Sequence, residues 1–217
     1  MAGLCLAIGN KAYSSWSLRA WLAAKHAELT FEEVVIPLDR PESAAELRQH
    51  SPSGRVPCLS HGPIRVWDTL AIIETVAETP KGAKLWPTDR AQRARARAIS
   101  AEMHSGFAAL RRHLPMDLKR KPAPLAYPAE VAAEIARIEA IWAECRAARP
   151  DGGPFLFGAF SAADAMFAPV ATRFRSYAVP LSRTSAEYCD AIYAHPPMGE
   201  WIAAAIAEPW TIEHPKP

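Results

Sequence analysis

Two hydrophobic spacings alternate along the first 80 residues. Leu4 to Ile8 is a short, nearly unbroken apolar run, the pattern of a buried strand, and Ser17 to His26 carries Leu18, Trp21 and Leu22 at helical spacing with Lys and His at its end. Phe31 to Leu38 is rich in Val and Ile, and Pro41 and Glu42 can open a short helix through Leu47. Val56 to Leu59 and Ile64 to Trp67 flank His61-Gly62-Pro63, a hairpin pattern, and Asp68-Thr69 opens an apolar helix that ends near Glu78. The predicted order is strand, helix, strand, helix, strand, strand, helix, an α/β unit over residues 1–80.

Pro80 to Pro87 interrupts all periodicity, and beyond it the chain becomes Ala-rich and purely helical in pattern. A second, all-α domain over residues 88–217 follows, with helices expected at Asp89 to Arg112, Pro128 to Arg149, Ser161 to Tyr177, Ser185 to Tyr193 and Met198 to Ala207. Pro115 to Pro128 reads as a loop between helices.

Composition narrows the function classes. With 25 basic and 23 acidic residues the net charge is +2, so nothing calls for nucleic acid as a partner. Arg90, Arg93 and Arg97 make a basic stripe with no interleaved aromatics and read as a solvated face. No stretch reaches membrane-spanning length and the first residues lack a basic leader, so a cytoplasmic protein without membrane attachment is expected. Cys5, Cys58, Cys145 and Cys189 are far apart and suit reduced thiols, and the seven histidines have no metal-ligand spacing, so neither disulfide nor metal is expected.

Three short motifs carry candidate chemistry. Tyr13-Ser14-Ser15-Trp16-Ser17 lies between the first strand and first helix, where a serine can cap the helix or serve a ligand. Arg55-Val56-Pro57 opens a strand with a proline, which suits a cis bond turning the Val56 backbone outward. Asp68-Thr69 offers a carboxylate, a hydroxyl and free N–H groups at a helix start, a set suited to an amino acid's ammonium and carboxylate. Taken in this order, the motifs resemble the glutathione site of glutathione transferases. The likeness extends to Ser161 and Asp164, which match a helix-opening capping box in the family's second domain.

That resemblance implies a thioredoxin-like domain followed by a helical one, glutathione as co-substrate, a small electrophile as second substrate, and a homodimer. Ser-Ser-x-Ser looks nearest to the zeta-class and related bacterial serine enzymes. Ser14 is then the expected donor to the glutathione sulfur, with Ser15 its neighbour and backup. Val56 would pair with the peptide backbone beside Pro57, Asp68 and Thr69 would hold the γ-glutamyl end, and Arg55 the glycyl carboxylate. Trp16 stands where the zeta class has a cysteine, and Ala108 where it has a glutamine. Met103, Phe107 and Arg111 recur at helical spacing and are the expected wall of an acceptor pocket, together with Trp16. The expected reaction is attack of a glutathione thiolate on an apolar electrophile. Alternatives are isomerisation of the maleylacetoacetate type and a noncatalytic binding module.

Overall fold

The computed structural model describes residues 3–149 and 152–212. Strand β1 (Leu4–Gly9) leads into α1 (Ser15–His26), then β2 (Glu32–Ile36), α2 (Ser43–His50), β3 (Cys58–His61), β4 (Ile64–Trp67) and α3 (Thr69–Ala77). The four strands form one sheet in the order β2-β1-β3-β4; β1 and β2 are parallel and the other pairs antiparallel. Period-2 alternation sorts the sheet's two faces. Leu6, Ile8 and Leu59 join the main core with α1 and α3, whereas Ala7, Ile36 and Cys58 pack on the other face with Leu47 of α2.

After a single 3₁₀ turn at Gly82–Lys84 come α4 (Arg90–Ser105), α5 (Ala108–His113), α6 (Ala129–Ala147), α7 (Ala162–Ser176), α8 (Arg183–Ala194) and α9 (Pro196–Ala207). The turn needs glycine at its start, because a Cβ on Gly82 would lie 1.8 Å from the Val76 carbonyl oxygen. Every residue of α7 except Arg175 is buried, and α7 packs on both α1 and α4, so one continuous core runs through the sheet half and the helical half. Met166, Phe167 and Phe174 are each buried there, worth about 1.5–3 kcal/mol apiece. Ser161 and Asp164 form the expected capping box. Asp164 accepts from Ser161 N at 2.8 Å, Leu156 N at 3.0 Å and the Tyr188 hydroxyl at 3.0 Å, while burial pushes its pKa up to about 6.

Two expectations need correction. The helix predicted from Asp89 to Arg112 is broken, because Phe107 takes a left-handed conformation (φ 56°) between α4 and α5 and the Arg111 guanidinium turns back onto the Gly106 carbonyl. Periodicity continues across this break, which is why the spacing reads as one helix. The strand predicted from Val56 begins only at Cys58, leaving Val56 and Pro57 outside the ladder. In the basic stripe, Arg90 and Arg97 are exposed as the solvated reading requires, Arg97 pairing with Glu74 at the surface, whereas Arg93 is half-buried and donates to the carbonyls of Pro87 and Thr88.

Where α1 meets α9, His195 stacks on Phe160 (centroids 4.1 Å apart) and lies 5.3 Å from His26. Burial first, and the charge of His26 second, lower the His195 pKa to about 4; its Nε2 is buried without a partner. The unfolded chain, with a histidine near 6.5, binds the proton more readily, so stability is lost as pH falls from about 6.5 toward 4. His195→Phe removes this contribution. The stability difference between variant and parent, measured by denaturant unfolding across that range, should grow in the variant's favour as pH falls; a pH-independent difference would contradict the assignment.

Candidate functional site

One cleft gathers residues from four separate stretches of chain. It has a volume of about 610 Å³ and is lined by Trp16 of α1, Ser53 and Arg55 to Pro57 before β3, Trp67 to Thr69 at the start of α3, and His104 of α4. The Val56–Pro57 bond is cis, as expected from its place at a strand opening. With Val56 outside the β-ladder, its main chain is left at the rim. Asp68 caps α3 from a φ of 73°, its carboxylate accepting from Leu70 N at 2.9 Å and meeting His104 Nε2 at 2.7 Å. Thr69 is buried, and its hydroxyl donates to the Trp16 carbonyl at 2.9 Å. This bond ties the start of α3 to the start of α1. The sequence reading missed His104, which reaches Asp68 from the helical half across 36 residues, a distance no local motif signals.

The structure decides which of the paired serines caps the helix. Ser14, not Ser15, is the N-cap of α1: its Oγ accepts from Ser17 N at 3.4 Å and donates to Ser17 Oγ at 2.7 Å. The turn decides this, because Tyr13 N and Ser14 N both close onto the Asn10 carbonyl, which makes Ser15 the first helical residue. Ser17 Oγ also accepts from Gly9 N at 3.0 Å, so the serines are linked through Ser17 to the end of β1. Both Ser14 and Ser15 are buried, and neither lines the cleft in this structure; Trp16 does. Tyr13 is turned the other way, with its hydroxyl bonded to Thr211 and Ile212.

Trp16 and Arg111 do come together, but of the four expected wall residues only Trp16 lines the cleft. Met103, in α4, and Phe107, at the α4–α5 break itself, are both buried in the core. Trp16 has the Arg19 guanidinium 4.3 Å from its ring centre and that of Arg111 at 5.6 Å. Arg19 is fully buried. Its Nε donates to the Met166 carbonyl at 2.8 Å, while Nη1 and Nη2 have no partner. Burial, then the positive charges of Arg173 and Arg111, hold its pKa well below the ordinary value against the opposing pull of Asp68. Burial likewise brings Arg173 down to about 10. Guanidinium groups stay protonated at neutral pH, so Arg19 is a buried cation with two of its nitrogens unpartnered. An arginine amid Leu18, Trp21 and Leu22 was the readable sign of Arg19. Among the described residues, no group of three or more His, Cys, Asp or Glu is placed to hold a metal, and no helix is long and apolar enough to cross a membrane.

Comparison with known proteins gives a consistent pattern. Models of the glutathione S-transferase N-terminal and C-terminal domains match residues 13–79 and 128–204. A probable maleylacetoacetate isomerase of Caenorhabditis elegans is 34% identical over 93 residues, 43% of this chain; the match spans only 42% of that relative. Among solved structures, a glutathione transferase homologue from Burkholderia GL BGR1 with bound glutathione is 22% identical, covering 94% of this chain and 98% of that one at a TM-score of 0.70. A zeta-class bacterial maleyl pyruvate isomerase gives 22% identity, the same coverage and a TM-score of 0.72. A theta-class enzyme of Xanthomonas axonopodis pv. citri with glutathione bound gives 21%, with 95% and 100% of the two chains covered, at 0.67. At these identities the structural likeness establishes the fold.

The cap geometry makes a stability prediction. Ser14→Ala should cost roughly 0.5–2 kcal/mol by leaving the α1 start uncapped, while Ser15→Ala should cost less. Urea unfolding of both variants checks it, and a larger loss for Ser15→Ala would overturn the assignment of the cap.

Proposed function

Because the chain belongs to the glutathione S-transferase family, we propose that it binds glutathione in the cleft and activates its thiol for attack on an electrophile. The observation that carries this reading is the convergence of Arg55-Val56-Pro57 and Asp68-Thr69 on one cleft beside the α1 start. The cysteinyl backbone pairs with Val56, the γ-glutamyl ammonium joins the Asp68 carboxylate, and its carboxylate meets the N-terminus of α3 at Thr69. Arg55, exposed at the rim, is free to take the glycyl carboxylate. Asp68 already accepts from Leu70 and meets His104, yet a carboxylate has about four lone-pair sites, so an ammonium can be added.

Ser14 donates to the sulfur in this reading. Its proton now points to Ser17 Oγ. If Ser17 turns its own proton onto Ser14 Oγ, the Ser14 proton is released toward the cleft without loss of the hydroxyl pair. Tyr13 is the weaker candidate because its hydroxyl is engaged with Thr211 and Ile212. A thiol of pKa about 8.5 is roughly 3% ionised at pH 7, and lowering it by two units needs about 2.7 kcal/mol of differential stabilisation. One hydrogen bond to a charged group supplies about 1.5–3 kcal/mol, so Ser14 with the positive end of α1 is of the right size. Lower basicity returns much of the gain as reduced nucleophilicity, which leaves positioning against the acceptor as the larger source of rate.

A second reading is favoured by one observation. Arg19 and Arg111 lie against Trp16, and two guanidinium nitrogens of Arg19 have no partner, which suits an acceptor with an anionic group better than the wholly apolar electrophile expected from the sequence. Glutathione-assisted isomerisation of an anionic substrate fits, and the C. elegans relative's name points the same way. Trp16 and Ala108 remain its departures from the zeta pattern. A noncatalytic module would bind glutathione but turn over neither acceptor type. The same reading includes a homodimer, supported by the exposed Ile64 and Trp67 on edge strand β4; sedimentation as a monomer at micromolar concentration would contradict it.

Asp68→Ala should weaken glutathione binding by about 1.5–3 kcal/mol in calorimetry. Ser14→Ala should raise the pKa of bound glutathione, read from thiolate absorbance against pH, and Tyr13→Phe should not. An unchanged dissociation constant in the first variant, or a shift only in the last, overturns the placement.

A further inference from the structure

The turn between β1 and α1, residues 10–14, contains no regular structure, yet its main chain is held group by group. Tyr13 N and Ser14 N close onto Asn10 O at 3.1 and 2.8 Å, and Asn10 Oδ1 accepts from Leu38 N at 2.7 Å. The bonds on Lys11 and Ala12 come from the helical half. Lys11 O accepts from Trp201 Nε1 at 2.9 Å, and Ala12 O accepts from Leu118 N at 3.1 Å. Lys11 N and Ala12 N both donate to one carboxylate, Glu208, at 2.8 and 3.4 Å.

Two successive N–H groups converging on an anion form a concave cradle. Here the anion is supplied by the segment that follows α9. That segment is itself anchored: Lys119 Nζ donates to the carbonyls of Glu208 and Trp210, and the Tyr13 hydroxyl bonds to Thr211 and Ile212. The Lys11 side chain is fixed as well, paired with Glu33 at 2.5 Å and 5.4 Å from the ring centres of both Trp21 and Trp201. Lys11 and Ala12 are buried, so without Glu208 their N–H groups would lose their partner away from water.

We propose that Glu208 is a positioning residue for the sulfur site, setting the turn so that Ser14 presents its hydroxyl to glutathione. Ser14 follows Ala12 by two residues within the same closed turn, so a turn that relaxes to re-pair Lys11 and Ala12 carries the hydroxyl with it. Misplacement of a reacting group by about 1 Å is enough to cost a large part of its effect. Sulfur activation is thereby coupled to docking of residues 208–212 on the first half of the chain. This inference rests on the reading of Ser14 as the sulfur's hydrogen-bond donor.

The sign of one shift separates positioning from a plain charge effect. If Glu208 acted on the thiolate through space, removing its negative charge would lower the thiol pKa; if it positions Ser14, removing it raises that pKa. The thiolate absorbance of saturating glutathione bound to the full chain is titrated in the parent, Glu208→Ala, Glu208→Gln and Ser14→Ala. Glu208→Ala should raise the bound thiol's pKa by about one unit, the size of one lost hydrogen bond to the charged form, while the dissociation constant for glutathione measured well below that pKa, where the bound thiol is neutral, stays unchanged. Glu208→Gln keeps one acceptor oxygen and should shift it less; should the alanine variant fail to fold, a rise in the glutamine variant supports the proposal. A pKa that stays constant or falls on loss of Glu208, with Ser14→Ala raising it, overturns the role of Glu208 alone. No shift in Ser14→Ala removes the underlying reading and this inference with it.

Discussion

The cleft depends on α1 being packed from two sides at once. One side of the helix lies with the sheet's Leu6 and Ile8 in the main core; the other lies on α7, whose Met166 carbonyl accepts from Arg19 Nε. A helix buried in this way cannot slide or rotate without exposing apolar surface on both sides, each large side chain being worth about 1.5–3 kcal/mol. Its N-terminal turn is therefore a fixed point. The Thr69 bond to the Trp16 carbonyl then fixes the α3 start against it, and Asp68 and His104 close the contact from the helical half. Four stretches with no adjacency in sequence reach the cleft because each belongs to α1 or is tied to it through the elements packed around it.

Arg19 shows what this packing costs. Two guanidinium nitrogens lie buried without partners, and each unmet donor costs about 1–3 kcal/mol, more for a charged group. Stacking on Trp16 offsets about 0.5–2 kcal/mol. The balance is unfavourable, and Arg111 and Arg173 add repulsion. Arg19 stacks on Trp16, which lines the cleft, so its charge lies one ring away from a bound acceptor, and that is the physical basis for proposing an anionic acceptor over a purely apolar one.

What was legible in the sequence was what local chemistry decides. The α/β order, the cis proline at a strand opening, the Asp68 cap and the Ser161–Asp164 box all depend on neighbours within four residues. What was not legible depended on distant contacts or on rare backbone. Ser14 and Ser15 are equally good caps by local chemistry, and only the closure of the turn onto Asn10 selects Ser14. Phe107 adopts a conformation that a bulky residue seldom takes, so nothing in the spacing of Met103, Phe107 and Arg111 announces that the helix breaks between them. His104 and Glu208 reach their partners across 36 and 197 residues, where spacing carries no information.

A crystal structure of the glutathione complex puts the central claim to direct trial. The sulfur should lie within hydrogen-bond reach of Ser14 Oγ, with the cysteinyl backbone paired to Val56 and the γ-glutamyl ammonium on Asp68. A sulfur that sits against the Tyr13 hydroxyl, or a peptide bound away from the edge between Val56 and Asp68, would contradict it.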